Sequence, residues 1–224
     1  MANEYEEGKI LLINKPQHWT SFDVVKKLRY TIGVKKIGHA GTLDPLATGL
    51  LIIGTGKFTK KLNELQGLDK TYEGTFEIGK TTPSFDLETE FDSTTAFSHV
   101  NAEDLAKARE ELTGSISQVP PAHSAVKVNG ERAYKKARKN EAVKLEPRSV
   151  VIKEFSIKTD KLPEVDFVIS CSKGTYIRSM ARDFGEKLGV GAYLKKLVRT
   201  RVGDYSLDDA YDLDTFIKTF NESN

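Results

Sequence analysis

The chain is 224 residues long, 38% hydrophobic, 29% charged and 9% aromatic, with 17 Gly and 7 Pro. That composition suits a globular protein with a sizeable core and excludes collagen-like, disordered and membrane-spanning classes. A single cysteine, Cys171, permits no intramolecular disulfide and no cysteine-based zinc site, and the acidic, polar start from Met1 to Lys9 lacks a secretory signal, so the sequence reads as cytoplasmic. The net charge of +2 conceals segregation. Six basic residues stand against Asp23 between Ile10 and His39, nine against three acids between Pro120 and Lys153, and eight against two between Lys173 and Arg201. The acids gather between Pro83 and Glu111 and after Asp204. Two readings fit: a basic face for a polyanionic partner, or ordinary charged helix surfaces.

In chain order, Ile10 to Asn14 is an apolar run halted by Lys15-Pro16 and predicts a buried strand. Ser21 is placed to cap a helix to about Thr31, with Phe22, Val25 and Leu28 on its inner face and Gly33 closing it. Gly38 to Pro45 is dense in turn formers and predicts a loop feeding a core strand at Leu50 to Ile53. From Thr71 to Lys80 apolar and polar residues alternate, with Tyr72, Gly74, Phe76 and Ile78 on one side, which predicts a strand with one buried face. Asn101 to Leu112 reads as a peripheral helix. Pro120 to Pro147, poor in large apolar residues and rich in Lys and Arg, reads as an exposed excursion. Val165, Phe167, Ile169 and Cys171 alternate as a strand; Ser172-Lys-Gly174 then turns into a helix striped by Ile177, Met180, Ala181, Phe184 and Leu188. With no repeat and no low-complexity linker, the expectation is one domain over 1–206, an insertion at about 117–147, and a short acidic tail over 207–224 with one helix from Asp212 to Phe220.

Few motifs carry chemistry on their own. Gly74 to Thr81 satisfies the phosphate-loop pattern G-x-x-x-x-G-K-T, yet its interior residues are strand formers and Pro83 blocks a following helix, so an NTPase based on Lys80 is disfavoured. There is no G-x-S-x-G elbow, and His18, His39, His99 and His123 form no H-E-x-x-H pair. Asp44 lies in a small-residue loop with Pro45 behind it, which fits either an outward-facing carboxylate or an Asx-type turn. Arg178 falls in the first turn of its helix, where the macrodipole disfavours a cation, and off the apolar stripe. A carboxylate partner would explain it, and pairing with Asp44 would keep that acid ionised, as a nucleophile requires.

Several blocks, in order over nearly the whole chain, resemble those of the TruB-type tRNA pseudouridine synthases. They are Asn14-Lys-Pro16, Gly38-His-Ala-Gly-Thr-Leu-Asp-Pro-Leu-Ala-Thr-Gly-Leu-Leu51, Lys70-Thr-Tyr72, Val119 to Gly130, Cys171-Ser-Lys-Gly-Thr-Tyr-Ile-Arg178 and Leu197-Val-Arg-Thr-Arg-Val-Gly203. The resemblance implies an α+β fold with a mixed, largely antiparallel central sheet, flanking helices and an RNA-clamping insertion. It implies isomerisation of the T-loop uridine at tRNA position 55, with no metal and no organic cofactor, by a monomer needing no obligate protein partner. Asp44 resembles the family's nucleophile, Arg178 its ion-pair partner, and Tyr72 the aromatic beside the target base. His39 resembles the residue that fills the space a flipped nucleotide vacates, and Tyr176 and Leu197 resemble pocket residues around the base; Lys15 and Pro16 match a motif supporting the catalytic loop. Longer members carry a C-terminal PUA module, for which this sequence has only the acidic tail. The basic excursion, with Lys127 and Arg132 among Tyr134, Lys135, Lys136, Arg138 and Lys139, suits phosphate contacts that would offset extrusion of a base. A non-catalytic tRNA-folding chaperone is the alternative from a different class.

Overall fold

The computed structural model describes residues 4–124, 127–128, 131–132 and 145–223. Its main elements are β1 (Ile10–Lys15), α1 (Ser21–Ile32), β2 (Ile37–Ala40), β3 (Thr48–Thr55), β4 (Lys70–Ile78), α2 (Ala102–Glu111), β5 (Gly114–Gln118), β6 (Arg148–Lys161), β7 (Glu164–Cys171), α3 (Ile177–Leu188), β8 (Ala192–Val202), β9 (Tyr211–Asp212) and α4 (Leu213–Glu222). They form two units, Met1–Glu73 with Leu197–Asn224 and Gly74–Lys196, the divisions falling inside β4 and β8. The class is α+β, with a mixed, largely antiparallel set of strands and flanking helices, as expected. No helix among the described residues is long and apolar enough to cross a membrane.

In the first unit the strand order is β9-β1-β3-β8, with β2 also on β3. β1 and β2 run antiparallel to β3, while β9 runs parallel to β1 and β8 parallel to β3. Thr20, not Ser21, caps α1: its hydroxyl accepts from the Asp23 amide at 3.1 Å, and the Asp23 carboxylate accepts from the Thr20 amide at 2.9 Å. That reciprocal box starts the helix one residue earlier than expected and turns its inner face to Ser21, Val24, Val25, Leu28 and Ile32, leaving Phe22 60% exposed. The stretch after Ser206, expected as a tail, folds back. β9 pairs with β1 through Ile13 and Tyr211, and Leu213 and Phe216 of α4 join Leu11, Ile13, Val25 and Leu28 in one apolar cluster.

In the second unit β4, β7, β6 and β5 lie in that order, with β6 antiparallel to both neighbours. From Thr75 to Ile78, β4 is buried on both faces rather than one. Its polar face tolerates burial because the Thr75 hydroxyl donates to Asp166 at 2.6 Å, and Glu77 accepts from Lys195 at 2.8 Å and Lys80 at 3.2 Å. The phosphate-loop pattern is therefore a strand: a Cβ on Gly74 would collide with the Lys196 carbonyl, and the Lys80 ammonium lies 5.0 Å from the centre of the Phe91 ring. The α3 stripe is buried as expected, with Phe184 centred 5.8 Å from Phe76 and 6.0 Å from Phe155.

The basic excursion departs from expectation at its start. Pro120, Pro121 and Ser124 are buried, and α3 captures the backbone beside them: Ser179 donates to the Val119 carbonyl at 2.8 Å and Arg178 to that of His123 at 2.8 Å. Beyond it, Lys127–Val128 pairs with Glu131–Arg132. Tyr134, Lys135, Lys136, Arg138 and Lys139 lie outside the described residues.

If α4 completes the first unit's core, Phe216→Ala should lower unfolding stability by roughly 3 kcal/mol, read from urea denaturation. An unchanged midpoint would make α4 an appendage.

Candidate active site

One edge of β3 is shared between two neighbours. Ile52 to Thr55 pair with β2, while Thr48 and Gly49 pair with β8. The chain leaves β2 after Ala40 and re-enters the sheet at Thr48, so the segment that carries Asp44 leaves the sheet where β2 gives way to β8. Gly49 makes the handover possible. It sits at φ 104°, and a Cβ there would collide with the Arg199 backbone of β8.

Within this segment Leu43 and Ala47 are buried on either side of a half-buried Asp44. The Ser21 hydroxyl, freed from capping, accepts from the Leu43 amide at 2.9 Å and donates to its carbonyl at 3.2 Å. The Ala47 amide donates to the Asp44 carbonyl at 3.1 Å and the His18 amide to the Pro45 carbonyl at 2.7 Å. Two buried cations complete the clamp. Lys15, fully buried, donates to the carbonyls of Pro16 at 2.8 Å, Trp19 at 2.6 Å and Pro45 at 3.3 Å. Arg199, 1% exposed, donates through Nε to Leu50 at 2.8 Å and through its terminal nitrogen to Gly41 at 3.1 Å, tying the two ends of the loop with one guanidinium.

These cations shape the local electrostatics. Burial pushes the Lys15 ammonium down to about 8, against the pull of the Asp44 carboxylate. His39, half-buried on β2, is held below its ordinary value by burial and by the Arg199 guanidinium, so its imidazole is neutral at pH 7. Its Nδ1 is buried with no hydrogen-bond partner among the described residues. Tyr72 on β4 and Leu197 on β8, at 9% and 8% exposure, belong to the same unit.

Arg178 and Tyr176 belong to the second unit. Arg178, off the apolar stripe of its helix, is 3% exposed. Its Nε lies 3.7 Å from Asp86, and its terminal nitrogens donate to the carbonyls of Ser84 at 3.3 Å and His123 at 2.8 Å. Asp86 and those carbonyls oppose the macrodipole that disfavours a cation there. The Asp86 carboxylate also accepts from the Glu88 amide at 3.0 Å, and Phe85 before it holds a left-handed backbone, φ 63°. Tyr176 precedes α3, its amide donating to Gln118 Oε1 at 2.8 Å and its carbonyl accepting from Gln118 Nε2 at 3.2 Å. Lys127 and Arg132 are backbone register partners in the small hairpin. Among the described residues, no three His, Cys, Asp or Glu side chains come together as a metal-ligand group.

Ser21, Arg199, Asp86 and Gln118 escaped the reading of the sequence. Arg199 had left a signal, a cation among the apolar residues Leu197, Val198 and Val202 of one strand. Asp86 had none, being one acid in an acidic block.

Comparison with known proteins places this geometry in a family. Residues 29–177 match the N-terminal domain of the TruB family of pseudouridylate synthases, and residues 178–223 match the tRNA pseudouridylate synthase B C-terminal domain. A tRNA pseudouridine synthase B of Flavobacterium johnsoniae is 52% identical over 220 residues, covering 95% of this chain and 96% of that one. Its counterpart from Phocaeicola vulgatus is 50% identical over 218 residues, covering 95% and 93%. Among solved structures, one of a Cbf5-Nop10-Gar1 complex matches with a TM-score of 0.75 at 26% identity; it covers 96% of this chain, which spans about half (54%) of that one. The chain belongs to the TruB family of pseudouridine synthases, which are isomerases.

The buried Lys15 makes stability depend on pH. Its ordinary value of 10.5 falls to about 8 in the fold, so between those values the unfolded chain keeps a proton that the native state releases. Stability contributed at this site therefore rises with pH across that window. The difference in urea midpoint between the parent protein and Lys15→Met should grow in the parent's favour from about pH 8 to 10.5; a flat difference would contradict the buried ammonium.

Proposed function

We propose that the chain converts the T-loop uridine at tRNA position 55 to pseudouridine, with Asp44 as nucleophile. The observation that carries this reading is the clamped segment around Asp44, a carboxylate held on a rigid loop at a break in the sheet within a chain of this family. A stacked base cannot be reached in an RNA loop, so the nucleotide is extruded first. Asp44 then attacks the extruded nucleotide, by way of either the base or the sugar. The N1 glycosidic bond breaks, the base rotates, a bond forms from C5 to the ribose, the bond to Asp44 breaks and returns its carboxylate, and the C5 proton is lost as N1 gains one. Substrate and product are isomers, so the chemistry balances without a co-reactant.

The other residues take roles suited to their surroundings. Arg178, oriented by Asp86, serves as the guanidinium partner of Asp44. Tyr72 stacks beside the target uracil and assists proton transfer at C5, and Tyr176 and Leu197 pack around the base. Neutral His39 fills the space left in the RNA. Lys127 and Arg132 contact the phosphate backbone of the stem-loop. The protein acts in the cytoplasm as a monomer, without an obligate protein partner.

Incubation with an unmodified tRNA transcript, followed by position-resolved pseudouridine detection, should give modification at one T-loop uridine. Asp44→Ala should abolish it while still binding the transcript; pseudouridine formed at the parent rate by that variant would remove Asp44 from the chemistry.

A further inference from the structure

We propose that the outer face of α1 bears a second RNA contact, apart from the loop of Asp44, where a cleft stacks one unpaired nucleotide of a bound strand and holds its phosphate. The inference rests on the reading that the substrate is RNA, and deepens it. A cavity of about 370 Å³ is lined by His18, Trp19, Asp23, Lys26, Lys27 and Tyr30, within the size range of small-ligand clefts. Two ring systems are available to a base. Trp19 packs at its back against the first unit's apolar cluster, which fixes it as a platform, and Tyr30 is 75% exposed. A base presents a π-face to either ring whatever its identity, so such a site is sequence-tolerant.

The charge around the cleft selects the ligand. Lys26 and Lys27 line it, both exposed. The one acid in the lining, Asp23, is engaged in the helix cap, accepting from the Thr20 hydroxyl at 2.6 Å and the Thr20 amide at 2.9 Å. Two lysines against one carboxylate leave the lining net positive, which suits the phosphate of a strand beside a stacked base. His18, on the cleft wall, holds a left-handed backbone at φ 67°, uncommon outside glycine, and its amide bonds the carbonyl of Pro45 beside Asp44. The cleft is thereby joined to the catalytic loop by one hydrogen bond.

The chain contains one tryptophan, Trp19, so intrinsic fluorescence reports on this cleft directly. Titration of the full chain with a short oligoadenylate should quench Trp19 saturably, while inorganic tripolyphosphate leaves it unquenched. Lys26→Ala with Lys27→Ala, and separately Tyr30→Ala, should each weaken the apparent affinity by about tenfold. Absence of quenching, or quenching indifferent to both variants, overturns the proposal. AMP binding as tightly as the oligomer would overturn it in favour of a free nucleotide. Because oligoadenylate contains no uridine, none of these results depends on whether Asp44 performs chemistry, which the transcript assay decides by itself.

Discussion

Two cations taken out of water hold the loop that carries Asp44. Burial of an ammonium or guanidinium carries a penalty of several kcal/mol unless dipoles replace the lost water. Here the dipoles are backbone carbonyls of the loop and its flanks: Pro16, Trp19 and Pro45 for Lys15, Gly41 and Leu50 for Arg199. Each cation would be stranded if its carbonyls moved, and each carbonyl would be stranded if its cation moved. The arrangement resists partial loosening, which is what a nucleophile on a loop requires.

The rest of the first unit follows from that requirement. β3 gives one edge to β2 and then to β8, and the loop leaves at the changeover. β8 can come close enough to deliver Arg199 only because residue 49 is glycine. Ser21 reaches Leu43 because Thr20 has taken the capping role, and the last helix closes the apolar cluster beneath β1 and α1. A comparable economy serves the second unit. Arg178 holds together the 84–86 turn, the segment at His123 and the start of α3, so one guanidinium organises three stretches remote in sequence.

What the sequence made legible, it did through period and order. β7 and α3 were clear because Val165, Phe167, Ile169 and Cys171 alternate and Ile177, Met180, Ala181, Phe184 and Leu188 repeat at helical spacing. The capping residue was misplaced by one because Thr20 and Ser21 are both competent caps, and the choice is made by Leu43, which is remote in sequence. Asp44 had two local readings, between which the partner expected for Arg178 and the order of motif blocks along the chain decided. Lys15 was legible only through its motif match, as a support of the loop, and Arg199 was not legible as a tie across it, for a physical reason: lysine and arginine ordinarily face water, and the carbonyls that overrule this come from turns whose geometry the sequence does not spell out. Asp86 and Gln118 were hidden the same way, as common polar residues whose partners come from other segments.

The central claim is that catalytic competence resides in the clamped geometry of the Asp44 loop. Its most direct test is the single-turnover rate of pseudouridine formation by Arg199→Lys, measured alongside tRNA affinity. Lysine keeps the charge but cannot span Gly41 and Leu50 as the guanidinium does. The rate should fall by about a hundredfold with affinity unchanged; a rate equal to that of the parent protein, or a fall matched by lost affinity, would contradict it.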